Sequence, residues 1–141
     1  MQTIFTKAMA RNVFLGGAGF FLIAYLALSY DTWQQIPKRD HANLITPAVA
    51  EGKYLVDTND CMGCHTINGE GAYYAPELDV SYKTYGPAFI RAWMMSQPTG
   101  APGRRQMPNF HFTQDQLTDV IAYLQWVGNI NTNGWPPNKQ G

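Results

Sequence analysis

The chain has 141 residues, of which ten are acidic and ten are basic, and therefore carries no formal net charge at pH 7. This length leaves room for one small domain. All ten acidic residues follow Tyr30, against eight of the ten basic residues, so the part after Tyr30 has a formal charge of −2. Because nucleic acids bind clustered positive charge, this balance argues against a nucleic-acid partner and mildly favours a basic protein partner.

The first predicted element is a helix that crosses a membrane. The segment from Asn12 to Tyr30 contains 19 residues without a charge, and a helix of that length reaches about 28 Å, close to the hydrocarbon core of about 30 Å. A cleaved signal peptide is the alternative, because Lys7 and Arg11 form a basic region and Ala27-Leu28-Ser29 resembles a cleavage site. The apolar run is longer than in signal peptides. We therefore predict a retained anchor over residues 13–32, between an N-terminus of residues 1–12 and a linker of residues 33–45.

Small residues are clustered on one turn of this predicted span. Gly16, Gly17, Ala18 and Gly19 leave the turn almost without side chains. The general glycine content of membrane helices is one explanation. Close packing against a helix of another subunit is the other, because glycine lets two backbones approach.

The next predicted element is a helix from Pro47 to about Val56. Thr46 is suited to cap its N-terminus, and proline is favoured at the first helical position. Val49, Gly52 and Val56 fall on one face of this helix. Because glycine weakens a helix, its presence on that face predicts close packing against another helix.

Both cysteines of the chain lie in the run Cys61-Met62-Gly63-Cys64-His65. This spacing is the attachment signature of a c-type haem, in which two thiols bond to the porphyrin and the adjacent imidazole ligates the iron. A thioredoxin-like pair would need a βαβ setting, and no strand-rich stretch precedes Cys61. A zinc site would need a fourth ligand, for which only His41 and His111 remain, neither at finger spacing. The run predicts one covalent haem c and electron transfer.

The haem also predicts the location of the chain. Attachment of c-type haem takes place outside the bacterial cytoplasmic membrane, so everything after Tyr30 is expected in the periplasm. Lys7 and Arg11 lie just before the span and weakly favour a cytoplasmic N-terminus by the positive-inside rule.

Two more helices are predicted after the haem-attachment run. The first of these two helices begins at Pro87 and stops before Pro98. It is predicted to bury four apolar side chains, Phe89, Ile90, Trp93 and Met94. The other helix begins at Thr113 with a capping box and ends near Gly128. Its apolar residues recur at helical spacing: Leu117, Val120, Ile121, Leu124 and Val127. The connections over residues 68–86 and 97–110, and the stretch from residue 129, are predicted to be loops.

The second axial ligand of the iron is expected downstream of His65. Met94 and Met95 fall within a predicted helix, where core packing explains them. Met107 precedes Pro108 in a predicted loop that can aim its sulfur at the iron, so it is the favoured ligand, with His111 second. Two axial ligands would leave no open position for substrate chemistry, and no catalytic group is predicted in this chain.

The order of these elements resembles an all-α class I cytochrome c domain, here over residues 46–130, with a tail at 131–141. The whole chain is more specifically similar to the cytochrome c subunit of bacterial respiratory nitric oxide reductase. Four stretches carry this resemblance: residues 5–12, the run Gly69-Glu70-Gly71-Ala72-Tyr73-Tyr74-Ala75-Pro76-Glu77-Leu78, residues 100–108 and residues 133–139.

This resemblance implies an electron-transfer subunit of the bacterial inner membrane. It would accept electrons from a soluble cytochrome c or a small copper protein and pass them to haem b of a large catalytic subunit, which reduces NO to N2O in denitrification. The resemblance also implies that Gly71 and Tyr73 help hold an interfacial calcium ion. A membrane-anchored monohaem cytochrome c that serves a terminal oxidase is the alternative.

Overall fold

A computed structural model of the chain describes residues 6–98 and 106–134. The chain divides into two units, residues 1–38 and residues 39–141. Helices dominate both units, and the described strands are only two residues long, Thr66–Ile67 and Glu70–Gly71. The all-α class predicted from the sequence is therefore confirmed.

Helix α1 spans Lys7–Arg39, makes up most of the first unit, and buries none of its residues. It is long and apolar enough to cross a membrane. The helix is longer than the predicted anchor at both ends and continues through Pro37 into the stretch expected to be a linker. A Cβ added at Gly16, Gly17 or Gly19 would meet no atom within 4 Å among the described residues.

The second unit is built on three helices, α2 (Pro47–Thr58), α3 (Leu78–Ser96) and α4 (Gln114–Val127). Short 3-10 helices at Ala42–Leu44 and Cys61–Gly63 flank α2. Strands β1 (Thr66–Ile67) and β2 (Glu70–Gly71) pair antiparallel between α2 and α3. Helix α4 packs against both α2 and α3, and its apolar residues form the centre of the buried core, with Leu117, Val120, Ile121, Leu124 and Val127 at most 7% exposed.

Local capping chemistry fixes the starts of α2 and α4, as predicted. The Thr46 hydroxyl accepts from the Val49 amide, and Pro47 occupies the first turn of α2. At α4 the Thr113 hydroxyl accepts from the Gln116 amide, while the Gln116 side chain accepts from the Thr113 amide. Each bond satisfies an amide that has no partner within its helix.

Gly52 lies where α2 crosses α4, which confirms the predicted close packing. It is buried, and a Cβ at this position would lie 2.0 Å from the Asp119 carbonyl oxygen and 2.8 Å from the Tyr123 Cβ. Because both neighbours belong to α4, only a residue without a side chain lets the two backbones come this close.

Helix α3 corrects two predictions. Residues 78–85, predicted to be part of a loop, are helical, and Gly86 (φ 77°, ψ 161°) breaks the helix before its second part begins at Pro87. The buried position of the first part is Ser81, whose hydroxyl donates to the Glu77 carbonyl. A polar residue at the buried position breaks the apolar periodicity that would have indicated a helix.

The second correction concerns the side chains of α3. Ile90 and Met94 are buried as predicted, but Phe89 is 49% and Trp93 is 51% exposed. Each exposed ring precedes a core residue by one position, which turns it about 100° around the helix from the core. Phe89 stacks on Trp93 with ring centroids 6.0 Å apart, and on Tyr85 at 5.3 Å.

Candidate haem site

The two cysteines and His65 are wound into a tight turn directly after α2. Asp60 begins this turn in the left-handed region, with φ 51°. The Cys64 and His65 amides both donate to the Cys61 carbonyl, at 3.2 and 3.0 Å. Neither cysteine forms a disulfide; Cys61 is half-buried and Cys64 is exposed. Burial, with a smaller contribution from Asp60, raises the pKa of the Cys61 thiol to about 11.

The imidazole of His65 is oriented by a backbone carbonyl. His65 Nδ1 lies 2.6 Å from the Pro76 oxygen. A carbonyl oxygen only accepts, so Nδ1 carries the proton and Nε2 keeps its lone pair free for a metal. A histidine held in this way is what a metal-ligating imidazole requires. The donor set of two free thiols and one oriented imidazole therefore fits a covalent haem.

The segment from Asn68 to Pro76 encloses the attachment turn. The Ala72 amide donates to the carbonyls of Met62 and His65, at 2.9 and 3.2 Å, and the Ala75 amide donates to the Cys64 carbonyl at 2.8 Å. These bonds bring Pro76 to His65, eleven residues away along the chain. Only this tertiary arrangement supplies the partner for Nδ1.

The residues expected to contact calcium make other contacts among the described residues. Gly71 has φ 110°, and a Cβ there would lie 2.3 Å from the His65 carbonyl oxygen. The Tyr73 hydroxyl donates to the Gly69 carbonyl at 3.2 Å, and its side chain is 72% exposed. Among the described residues no three His, Cys, Asp or Glu side chains gather as metal ligands. Neither the calcium contact nor the zinc alternative gains support from this arrangement.

Met107 lies in a non-helical segment, residues 106–113, as predicted. It is half-buried and packs against the apolar core. Met94 is buried in the core, and the exposed Met95 sulfur accepts from the Gln114 side chain at 3.5 Å. His111 is exposed on the same segment, with φ 52°. Placement in a loop therefore still favours Met107 as the sulfur ligand, and its ligation stays a prediction.

Sequence reasoning missed a pair of carboxyl groups beside this site. Glu77 is 6% exposed, and its Oε1 has no hydrogen-bond partner among the described residues. Burial, and then the neighbouring Asp79, raise the pKa of Glu77. Both Asp79 carboxylate oxygens accept from the Asn68 amide at 3.0 Å. The two carboxyl groups line a half-open cavity of about 160 Å³ with Lys83. No sequence signal marks Glu77 as buried, because acidic residues are usually exposed.

Parts of the motifs that carry the family resemblance lie outside the described residues. The parts outside are residue 5, residues 100–105 and residues 135–139, whereas Met107 and the Gly69 to Leu78 segment are described. The thioredoxin alternative fails on the described fold, since the only strands there form one two-stranded antiparallel ladder and no βαβ unit.

Comparison with known proteins assigns the chain to a family. A family model described as Cytochrome c matches residues 49–128. Over its full length the chain is 46% identical to a nitric oxide reductase subunit of Stutzerimonas stutzeri and 44% identical to the subunit of the same name from Paracoccus denitrificans, and each alignment covers the whole relative. It is 39% identical to the same-named subunit of Halomonas halodenitrificans, over 96% of this chain and 97% of the relative. The predicted cytochrome c domain and the resemblance noted in the sequence are thereby confirmed.

Proposed function

Because the chain belongs to the cytochrome c subunits of nitric oxide reductase, we propose that it accepts electrons from a soluble periplasmic donor and passes them to haem b of the catalytic subunit. Membership of this family makes it an electron-transfer cytochrome with covalent haem c and a catalytic partner subunit. The direction of electron flow, the donor and the reduction of NO to N2O by the partner belong to the proposal.

Four residues carry the proposed site. Cys61 and Cys64 would attach the haem through thioether bonds, while His65 and Met107 would ligate the iron. The single observation that supports this assignment best is the His65 Nδ1 to Pro76 carbonyl contact of 2.6 Å, because it leaves Nε2 free to bind the iron. When bound, the haem iron alternates between two oxidation states and so carries one electron at a time.

The remaining features fit a membrane-anchored electron carrier. Helix α1 would anchor the chain in the inner membrane, with Lys7 and Arg11 on the cytoplasmic side and the domain of residues 46–130 in the periplasm. The charge of −2 after Tyr30 suits a basic soluble donor, since opposite charge speeds encounter. With both axial positions filled by protein side chains, the iron would relay electrons without binding substrate.

The partner can be identified by gentle extraction of the complex from membranes. We expect the chain to copurify with a subunit that carries haem b and non-haem iron, and the preparation to consume NO when supplied with reduced cytochrome c. The control is the same preparation from cells that lack this chain. Copurification with a copper-containing terminal oxidase, without NO consumption, would instead support the alternative of a membrane-anchored shuttle.

The axial ligand can be tested by replacing Met107 with alanine. Oxidised haem with a sulfur ligand has a weak far-red absorption band, and its loss in the variant is the expected result. The reduction potential should fall as well, because a thioether ligand raises it. Met95→Ala is the matched control, since Met95 is 52% exposed and its sulfur accepts from Gln114. A band that persists in Met107→Ala would refute the ligand assignment.

A further inference from the structure

Asn109 ties the loop of residues 106–113, here called the methionine loop, to the C-terminal end of α3. Its side-chain Nδ2 donates to the Gln97 carbonyl at 3.0 Å and to the Met95 carbonyl at 3.4 Å. Its backbone amide donates to the Pro98 carbonyl at 3.3 Å. One residue therefore supplies the donors for three backbone carbonyls at the end of α3.

These carbonyls need an external donor. Helix α3 ends at Ser96, and the capping residue Gln97 has an extended backbone. The last carbonyls of a helix lack partners within it, and the following Pro98 has no amide hydrogen to offer. Asn109 is thus the structural link between the rigid helix and the methionine loop.

This link acts on Met107 through a stiff connection. Only Pro108 separates the two residues, and its ring fixes its own φ near −65° and restricts Met107 to extended conformations. Few rotatable bonds therefore lie between the anchored Asn109 and the backbone of Met107. A shift of Asn109 would therefore move the backbone of Met107 and, with it, the sulfur that is proposed to bind the iron.

The same side chain also holds the competing ligand. Asn109 Oδ1 accepts from the His111 amide at 2.9 Å, and this turn keeps His111 in the left-handed region, with φ 52°. That conformation is uncommon for a residue other than glycine, and an Asn side chain that bonds two residues ahead stabilises it. His111 is exposed in this arrangement.

We propose that Asn109 is the positioning residue that selects Met107 rather than His111 as the second axial ligand of the haem. Its Nδ2 bonds to the end of α3 place the backbone that carries the methionine sulfur, and its Oδ1 bond to the His111 amide holds the His111 backbone in the left-handed region. This inference rests on the proposed ligation by Met107. In this role Asn109 is not itself a ligand and acts through its neighbours.

The test uses the full-length, haem-loaded chain in detergent, with imidazole as a competing ligand for the oxidised iron. Asn109→Asp should bind imidazole about 10- to 100-fold more tightly than the parent chain, the size of effect typical of residues that orient a metal ligand. Its far-red band should weaken, and its reduction potential should fall. Asn109→Asp keeps the acceptor for His111 and loses both side-chain donations to α3, so it should show the tighter imidazole binding without ligation by His111.

The double variant Asn109→Ala/His111→Ala separates the two roles of Asn109. If His111 replaces the sulfur in Asn109→Ala, the electron paramagnetic resonance signal will be that of bis-histidine ligation, and the double variant will lack it. Asn129→Ala is the matched control, because Asn129 is an exposed asparagine after α4, and it should leave the far-red band, the potential and the imidazole affinity unchanged.

The outcomes distinguish this inference from the proposed function. If the parent chain lacks the far-red band, or Met107→Ala retains it, the ligand assignment fails. If Met107→Ala loses the band but Asn109→Ala keeps the parent band, potential and imidazole affinity, the positioning role of Asn109 is overturned. A lower unfolding midpoint of Asn109→Ala with those three readouts unchanged would show an ordinary structural role and would equally overturn it.

Discussion

Replacing Gly52 by alanine should force helices α2 and α4 apart. The added Cβ would lie 2.0 Å from the Asp119 carbonyl oxygen and 2.6 Å from its carbonyl carbon, whereas ordinary contacts of a Cβ begin at 3.4 Å. Both obstacles are backbone atoms within a helix, so no side-chain rotation can relieve the clash. The two helices must separate by about 1 Å, which weakens the dispersion contacts along their whole crossing.

The magnitude follows from two opposing contributions. Overpacking a core costs about 1–3 kcal/mol, and the immovable backbone places Gly52 at the upper end. Alanine also favours the helix over glycine by about 1 kcal/mol. We therefore expect a net loss of about 2 kcal/mol in the free energy of unfolding, which shifts the unfolding equilibrium about 30-fold.

Guanidinium unfolding of the full-length haem-loaded chain, followed by far-ultraviolet circular dichroism, measures this loss as a lower midpoint at unchanged slope. Glu51→Ala is the control, because Glu51 is the exposed neighbour on α2 and should change stability by less than about 0.5 kcal/mol. A Gly52→Ala chain as stable as the parent, or stabilised by the helix preference of alanine, would refute the close packing of the two helices.

Two further predictions concern α3 and α4. The pKa of Glu77 is raised above its ordinary value of 4.5, mainly by burial, so the folded chain binds more protons than the unfolded chain above that pH and loses stability as pH rises. Glu77→Gln should remove this loss of stability with rising pH; equal slopes of stability against pH for both chains would contradict the assignment. Thr113→Ala removes the acceptor of the Gln116 amide and should lower the free energy of unfolding by about 1 kcal/mol. Thr113→Ser keeps a hydroxyl acceptor and should retain most of the stability that the cap provides. Unfolding midpoints test both, and an unchanged Thr113→Ala would show that the cap contributes nothing.

Elements marked by local chemistry were predictable from the sequence. The capping residue and the first turn lie within four residues of each other in both helices, Thr46 with Pro47 in α2 and Thr113 with Gln116 in α4. The starts of both helices were therefore predicted correctly. The haem-attachment run is equally local, because covalent chemistry demands the fixed spacing of Cys61, Cys64 and His65.

Elements that depend on distant partners were not predictable in this way. The first part of α3 buries Ser81, and the preceding Glu77 together with Asp79 acquires its environment from Asn68 and the end of α4 rather than from its neighbours in sequence. Phe89 repeats at helical spacing as a core residue would, and only the packing of α3 decides that it faces outward.

The haem site shows the same division. The sequence by itself predicts that a haem is attached at Cys61 and Cys64 and ligated by His65, because that chemistry is encoded in five consecutive residues. Only the tertiary structure decided which nitrogen of His65 is free, since Pro76 approaches it from eleven residues away. The link from Asn109 to the end of α3 is also tertiary. Covalent spacing and capping act over a few residues and leave a readable pattern, whereas orientation and burial depend on which distant groups the packed helices bring together.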